Sequence, residues 1–137
     1  SLESAVARGD TGPVVTAAQH LIDRGVGAVL TTLGAAGAVL VTADGAWLAT
    51  PPPITPRSTV GAGDSALAGY VRADIMGAGP AQRLAMAVAY GSGAAALPGT
   101  ALPSPSQLNL DDVAITAVRG PDPDSDPDSD SEPKATP

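Results

Sequence analysis

Gly61-Ala62-Gly63-Asp64 stands where a proline-rich stretch (Pro51, Pro52, Pro53, Pro56) gives way to a run with Leu67, Ala68, Val71 and Ile75 at helical spacing. A helix that opens at such a point leaves its first N–H groups unpaired at its positive end, and glycine lets an anion come close to the main chain. Asp64 falls in the same first turn. A carboxylate beside a bound phosphate is suited to take the proton from an attacking hydroxyl, while the N–H groups stabilise charge on the phosphoryl group in flight. The plainer alternative is that Asp64 offsets the helix dipole and the glycines only make a turn. Spacing alone leaves both readings open.

Other phosphate-binding loops fit poorly. Gly61-Ala62-Gly63-Asp64-Ser65-Ala66 superficially satisfies the dinucleotide pattern, yet prolines rather than a hydrophobic strand precede it. A Walker A loop needs Gly-Lys-Ser/Thr, and the only lysine is Lys134. Gly34-Ala35-Ala36-Gly37 is followed by a β-type run, so it is not a Rossmann turn either. His20 has no Ser, Cys or Asp in a triad-like context and reads as a solvated residue. Trp47, Tyr70, Tyr90, Met76 and Met86 read as packing residues. Arg57 and Arg72 flank the glycine motif, and Arg57 is the better candidate to reach a phosphate.

The elements that would position the loop are legible from periodicity and punctuation. Thr11-Gly12-Pro13 followed by Val14, Ala18, Leu21 and Ile22 and closed by Gly25 predicts an amphipathic helix capped by Thr11 or Gly12. Residues 27–33 form a short apolar run of the kind buried strands show. Residues 38–42 and 46–50 are two β runs joined by an Asp44-Gly45 hairpin signal. Two helices follow, one over residues 64–76 with Leu67, Ala68, Val71 and Ile75 on one face, and one from Pro80 towards Leu97 with Leu84 and Val88 apolar. Residues 106–110 suggest a helical turn and 113–118 a last strand. This alternation points to an α/β layered fold.

Composition narrows the functional classes. The chain has 137 residues, enough for one domain with a modest core built from small aliphatic side chains, since Phe is absent. Its net charge of −7 is uneven: six acids fall in residues 119–137, and residues 1–118 carry eight acids against five arginines. Without a basic stripe, neither nucleic acid nor an anionic membrane surface is an expected partner. No cysteine and one histidine exclude disulfide, thiolate and ordinary zinc chemistry. No leader-like start and no apolar run near ~18 residues make a cytoplasmic protein the default expectation.

Ser58-Thr59-Val60-Gly61-Ala62-Gly63-Asp64-Ser65, followed by Ala68-Gly69, resembles the carboxy-terminal signature of ribokinase-like (PfkB-type) carbohydrate kinases. Its Ser-Thr-Val start is similar to the branch holding 1-phosphofructokinase, tagatose-6-phosphate kinase and minor 6-phosphofructokinases. Residues 32–38 are similar to the family's strand and loop before a hairpin, and residues 88–95 to its adenine-side helix. Three motifs in order are far more specific than one. The resemblance implies a three-layer α/β ribokinase-like fold, residues 1–118 being its carboxy-terminal, nucleotide-binding portion. It also implies ATP-dependent phosphoryl transfer to a sugar phosphate, with Mg2+. By position, Gly61, Ala62 and Gly63 would form the anion hole and Asp64 would be the catalytic base. Thr32, Gly34 and Gly37 would border ribose and phosphates, Ser58, Thr59 and Val60 would line the nucleotide site, and Val88, Ser92 and Ala94 would lie near adenine. Some members bind K+ through carbonyls placed like those of Ser58, Val60, Ala94 and Gly99, although Leu97 and Ala101 stand here where polar residues are usual.

Members of the family are longer, and the resemblance leaves their sugar-binding part unmatched. The expectation is a carboxy-terminal half, with a non-catalytic nucleotide-binding half-domain as the alternative to a kinase, and with association through an exposed strand edge or with a separate amino-terminal half. Residues 119–137, an acidic Pro/Asp/Ser repeat with almost nothing apolar to bury, are expected to be disordered and to act as a solubilising spacer rather than as an interaction segment for a basic partner. Deleting residues 120–137 is therefore expected to leave the urea unfolding midpoint unchanged; a lowered midpoint would show that the tail packs on the domain.

Overall fold

The computed structural model describes residues 1–53, 61–97 and 110–118. In chain order the elements are α1 (Leu2–Ala7), α2 (Gly12–Asp23), β1 (Ala28–Thr32), β2 (Ala38–Thr42), β3 (Gly45–Thr50), α3 (Ala62–Ile75), α4 (Pro80–Ala96) and β4 (Ala114–Val118). Short 3-10 turns at Gly34–Ala36 and Leu110–Asp112 complete them. The strands form one antiparallel sheet in the order β1-β2-β3-β4.

The sheet is two-sided, and β2 shows why. All five of its residues are buried, and their alternation divides them between two cores. Val39 and Val41 join Val6, Val14, Val15 and Ala18 of α1 and α2. Ala38 and Leu40 join Ala49 of β3, Leu84, Val88 and Ala89 of α4, and Val113. Helices thus cover both faces, giving the three-layer α/β arrangement expected from the sequence. The layers are not equivalent, however, because α4 packs on β2, β3 and β4 whereas α3 packs chiefly on α4.

Most predicted elements are present, with four differences. First, α1 carries no periodic signal; it is six residues long, and the Ser1 hydroxyl accepts from the Ser4 amide at 3.2 Å. Second, Thr11 occupies the N-cap of α2 as expected but makes no side-chain bond there; the Asp10 carboxylate accepts from the Gly12 amide at 3.1 Å. Third, β1 is an edge strand among the described residues and is half exposed rather than a core strand. The hairpin loop is Ala43-Asp44, with Gly45 already paired to Thr42.

The fourth difference is the orientation of α3. Leu67, Val71 and Ile75 face outward, Ile75 being 80% exposed, and so does Met76. The buried face is Ser65, Ala66, Gly69 and Ala73. The Pro-rich approach at residues 54–60, the turn expected before Leu110 and the acidic tail lie outside the described residues.

Leu40 and Leu67 separate core from surface. Leu40→Ala, at a fully buried central site, is expected to cost about 2–5 kcal/mol. Leu67→Ala, on the outer face of α3, is expected to stay within about 0.5 kcal/mol of the parent. Urea unfolding of both variants checks the difference.

Candidate functional site

The loop at the start of α3 is built by backbone conformation. Gly61 is the N-cap, with φ of 80° and ψ of −1°, a left-handed conformation that suits glycine and strains other residues. Its carbonyl accepts from the Ser65 amide at 2.9 Å and so begins the helical ladder. Among the described residues no side chain caps this end, and the N–H groups from Gly61 to Asp64 have no partner within the helix. Space is open beside it: a Cβ built on Gly61 or Gly63 would meet nothing within 4 Å. Asp64 is exposed in the same turn, its carboxylate free of any ion pair or hydrogen bond among the described residues.

Close contact with α4 fixes the start of α3. A Cβ on Gly69 would fall 2.6 Å from the Met86 carbonyl oxygen and 2.8 Å from Tyr90, so only glycine allows the two helices to approach this closely. One on Gly91 would be 3.2 Å from the Ala62 carbonyl oxygen, which sets this turn of α4 against the first turn of α3. Ser92, the next residue of α4, is half-buried. Val88 and Ala94 are buried, and Val88 packs towards the sheet. At the turn between helices, Arg83 Nη1 donates to the Ala78 carbonyl at 3.0 Å, lies 3.8 Å from Asp74, and stacks 5.5 Å over Tyr70.

Thr32, Gly34 and Gly37 lie together at the β1–β2 connection. Gly37 has a structural reason, because at its φ of 103° an added Cβ would run into the Ala49 carbonyl of β3. Gly34 has φ of 57°, and an added Cβ would sit 2.8 Å from Oε1 of Glu3. Glu3 is a residue the sequence gives no reason to notice, since it reaches the turn only through the unpredicted α1. Arg72 is displaced from the loop: it occupies the last turn of α3, eight residues and so about 12 Å along the axis from Asp64. Arg57, Ser58, Thr59, Val60, Gly99 and Ala101 lie outside the described residues. Among the described residues no three His, Cys, Asp or Glu side chains converge on a metal position, and no helix is long and apolar enough to cross a membrane.

The glycine-capped start of α3, with its exposed carboxylate, is set in a three-layer α/β fold shared with solved phosphofructokinase structures. Residues 4–107 match the pfkB family carbohydrate kinase profile, and the chain belongs to that family. Its relatives include 1-phosphofructokinases. It is 44% identical over 92 residues to the enzyme of Rhodobacter capsulatus, covering 67% of this chain and 29% of that one. With the 1-phosphofructokinase of Haloferax volcanii it is 37% identical over 107 residues, covering 77% and 35%. The structure of phosphofructokinase-2 from Escherichia coli with substrates and products superposes with a TM-score of 0.65 at 36% identity, over 69% of this chain and 31% of that one. The chain thus spans about a third of the length of these relatives.

Gly63 separates a structural from a binding role. Nothing crowds its Cβ position and it is inside a helix, so Gly63→Ala is expected to stabilise the chain by about 0.5–1 kcal/mol. If phosphate approaches the main chain there, the added methyl group weakens ATP binding by about tenfold or more. Unfolding and calorimetry on the same variant measure both; unchanged affinity would assign the glycine to the turn alone.

Proposed function

We propose that this chain supplies the nucleotide phosphate site and the catalytic base of an ATP-dependent kinase acting on a sugar phosphate, in the manner of 1-phosphofructokinase. The observation that carries the reading is the uncapped, glycine-led start of α3 with Asp64 exposed in its first turn. The family match and the names of the relatives support it.

In this reading the N–H groups of Gly61, Ala62 and Gly63 hold the γ-phosphoryl oxygens, and their charge stabilisation grows as negative charge spreads over the group in flight. Asp64 accepts the proton of the acceptor hydroxyl as the oxygen attacks phosphorus in line with the departing ADP. Magnesium enters with the ATP phosphates as part of the substrate. By resemblance Thr32, Gly34 and Gly37 border the ribose and phosphates, while Val88, Ser92 and Ala94 lie towards adenine. Ser58, Thr59 and Val60 belong to the same site by resemblance, whereas Leu97 and Ala101, in place of the usual polar residues, argue against a K+ position at the carbonyls of Ser58, Val60, Ala94 and Gly99. The acceptor, with fructose 1-phosphate as the first candidate, is held by parts of the longer relatives that this chain does not match.

A second reading, a nucleotide-binding half-domain without turnover of its own, is favoured by the outward apolar face of α3 at Leu67, Val71 and Ile75. Such a face suits burial against further protein, which a separate amino-terminal half would supply.

Two measurements distinguish the readings. Calorimetry of the 137-residue chain with ATP and magnesium should show binding, and Asp64→Asn should keep the affinity within about threefold because the backbone cradle is intact. In a chimera where this chain replaces the matched segment of the Rhodobacter capsulatus enzyme, Asp64→Asn is expected to lower kcat on fructose 1-phosphate by about 10²–10⁴-fold. Unchanged turnover would remove Asp64 as the base. Binding with an inactive parent chimera would favour the half-domain.

A further inference from the structure

Ser65 follows the proposed base directly and is only 1% exposed. Its Oγ is a buried polar atom with no hydrogen-bond partner among the described residues. Arg83 Nε is the other such atom, but the rest of that guanidinium is bonded and stacked. Ser65 has no such compensation. It lies on the face with Gly69 and Ala73 that meets α4, where space is tight. Alanine would pack there without the desolvation cost of a hydroxyl, so serine at this position is expected to cost the free chain stability.

Within its own helix, a serine hydroxyl can bond the carbonyl four residues back. For Ser65 that carbonyl belongs to Gly61, which already accepts from the Ser65 amide at 2.9 Å and has a second lone pair available. The Gly61 carbonyl and the Ala62 N–H share one rigid peptide plane. A second donor on the carbonyl therefore restrains the plane and, through polarisation along the chain of bonds, strengthens the N–H as a donor on its other side.

We infer that Ser65 is a positioning residue of the anion loop: with phosphate bound, its hydroxyl turns onto the Gly61 carbonyl and holds the Ala62 N–H on the anion. This rests on the reading of the loop as a phosphate site. It makes the hydroxyl a cost in the free chain and a gain in the loaded one. The effects of removing it on stability and on binding therefore have opposite signs, which a residue needed only for packing would not produce.

Urea unfolding and ATP–magnesium calorimetry on the 137-residue chain and its Ser65→Ala variant test this. The variant is expected to unfold at the same or higher urea concentration and to bind ATP about three- to tenfold more weakly, the range of one neutral hydrogen bond. Affinity within about twofold of the parent, given parent binding, would overturn the inference while leaving the phosphate site standing. A lower unfolding midpoint would also overturn it, by showing that the hydroxyl is already bonded in the free chain. A parent chain that binds no ATP would refute the phosphate site and this inference together.

Discussion

The contact between α3 and α4 is the constraint on which the candidate site depends. The two helices touch through Gly69 against the Met86 carbonyl and Gly91 against Ala62, distances that leave no room for a Cβ at Gly69 and little at Gly91. Only α4 is broadly anchored to the sheet, by Leu84, Val88 and Ala89 against Ala38, Leu40 and Ala49. The glycine loop is therefore carried in two stages, from sheet to α4 and from α4 to α3. A shift in the helix crossing would move the Gly61–Asp64 turn as a unit. This explains why small residues line the buried face of α3 while its larger side chains point outward.

Much of this was legible in the sequence because glycine and proline punctuate it sharply. Pro80 and the glycines before it separate α3 from α4, and the alternation of β2 and β3 around Asp44-Gly45 identifies a hairpin. The start of α3 could be located because Gly61 and Gly63 mark a turn and Asp64 a first helical turn. Other features depend on packing that periodicity cannot express. Leu67, Val71 and Ile75 form a regular apolar stripe, which ordinarily marks the buried face, yet α3 buries Ser65, Ala66, Gly69 and Ala73 because its partner is a closely approaching helix. The half exposure of β1 depends on its place at the sheet's edge, not on its residues.

The site shows the same division. Asp64 and its glycines announce themselves by type and spacing, whereas Glu3 reaches Gly34 only through a six-residue helix without periodic signal. Arg72 looked adjacent to the loop in sequence, but helical rise carries it to the far end of α3. The two glycines of the β1–β2 connection also separate: Gly37 is required by the Ala49 carbonyl, while Gly34 is required by its backbone conformation and faces a carboxylate. Sequence placed them in one motif; geometry gives them different constraints.

The central claim is that the backbone N–H groups at the start of α3 receive the phosphates of ATP. The most direct measurement is an NMR titration of the 137-residue chain with ATP and magnesium, following the amide resonances of Gly61, Ala62 and Gly63. The account predicts saturable shifts that are largest at these three amides. Saturable binding that leaves them unmoved would contradict it.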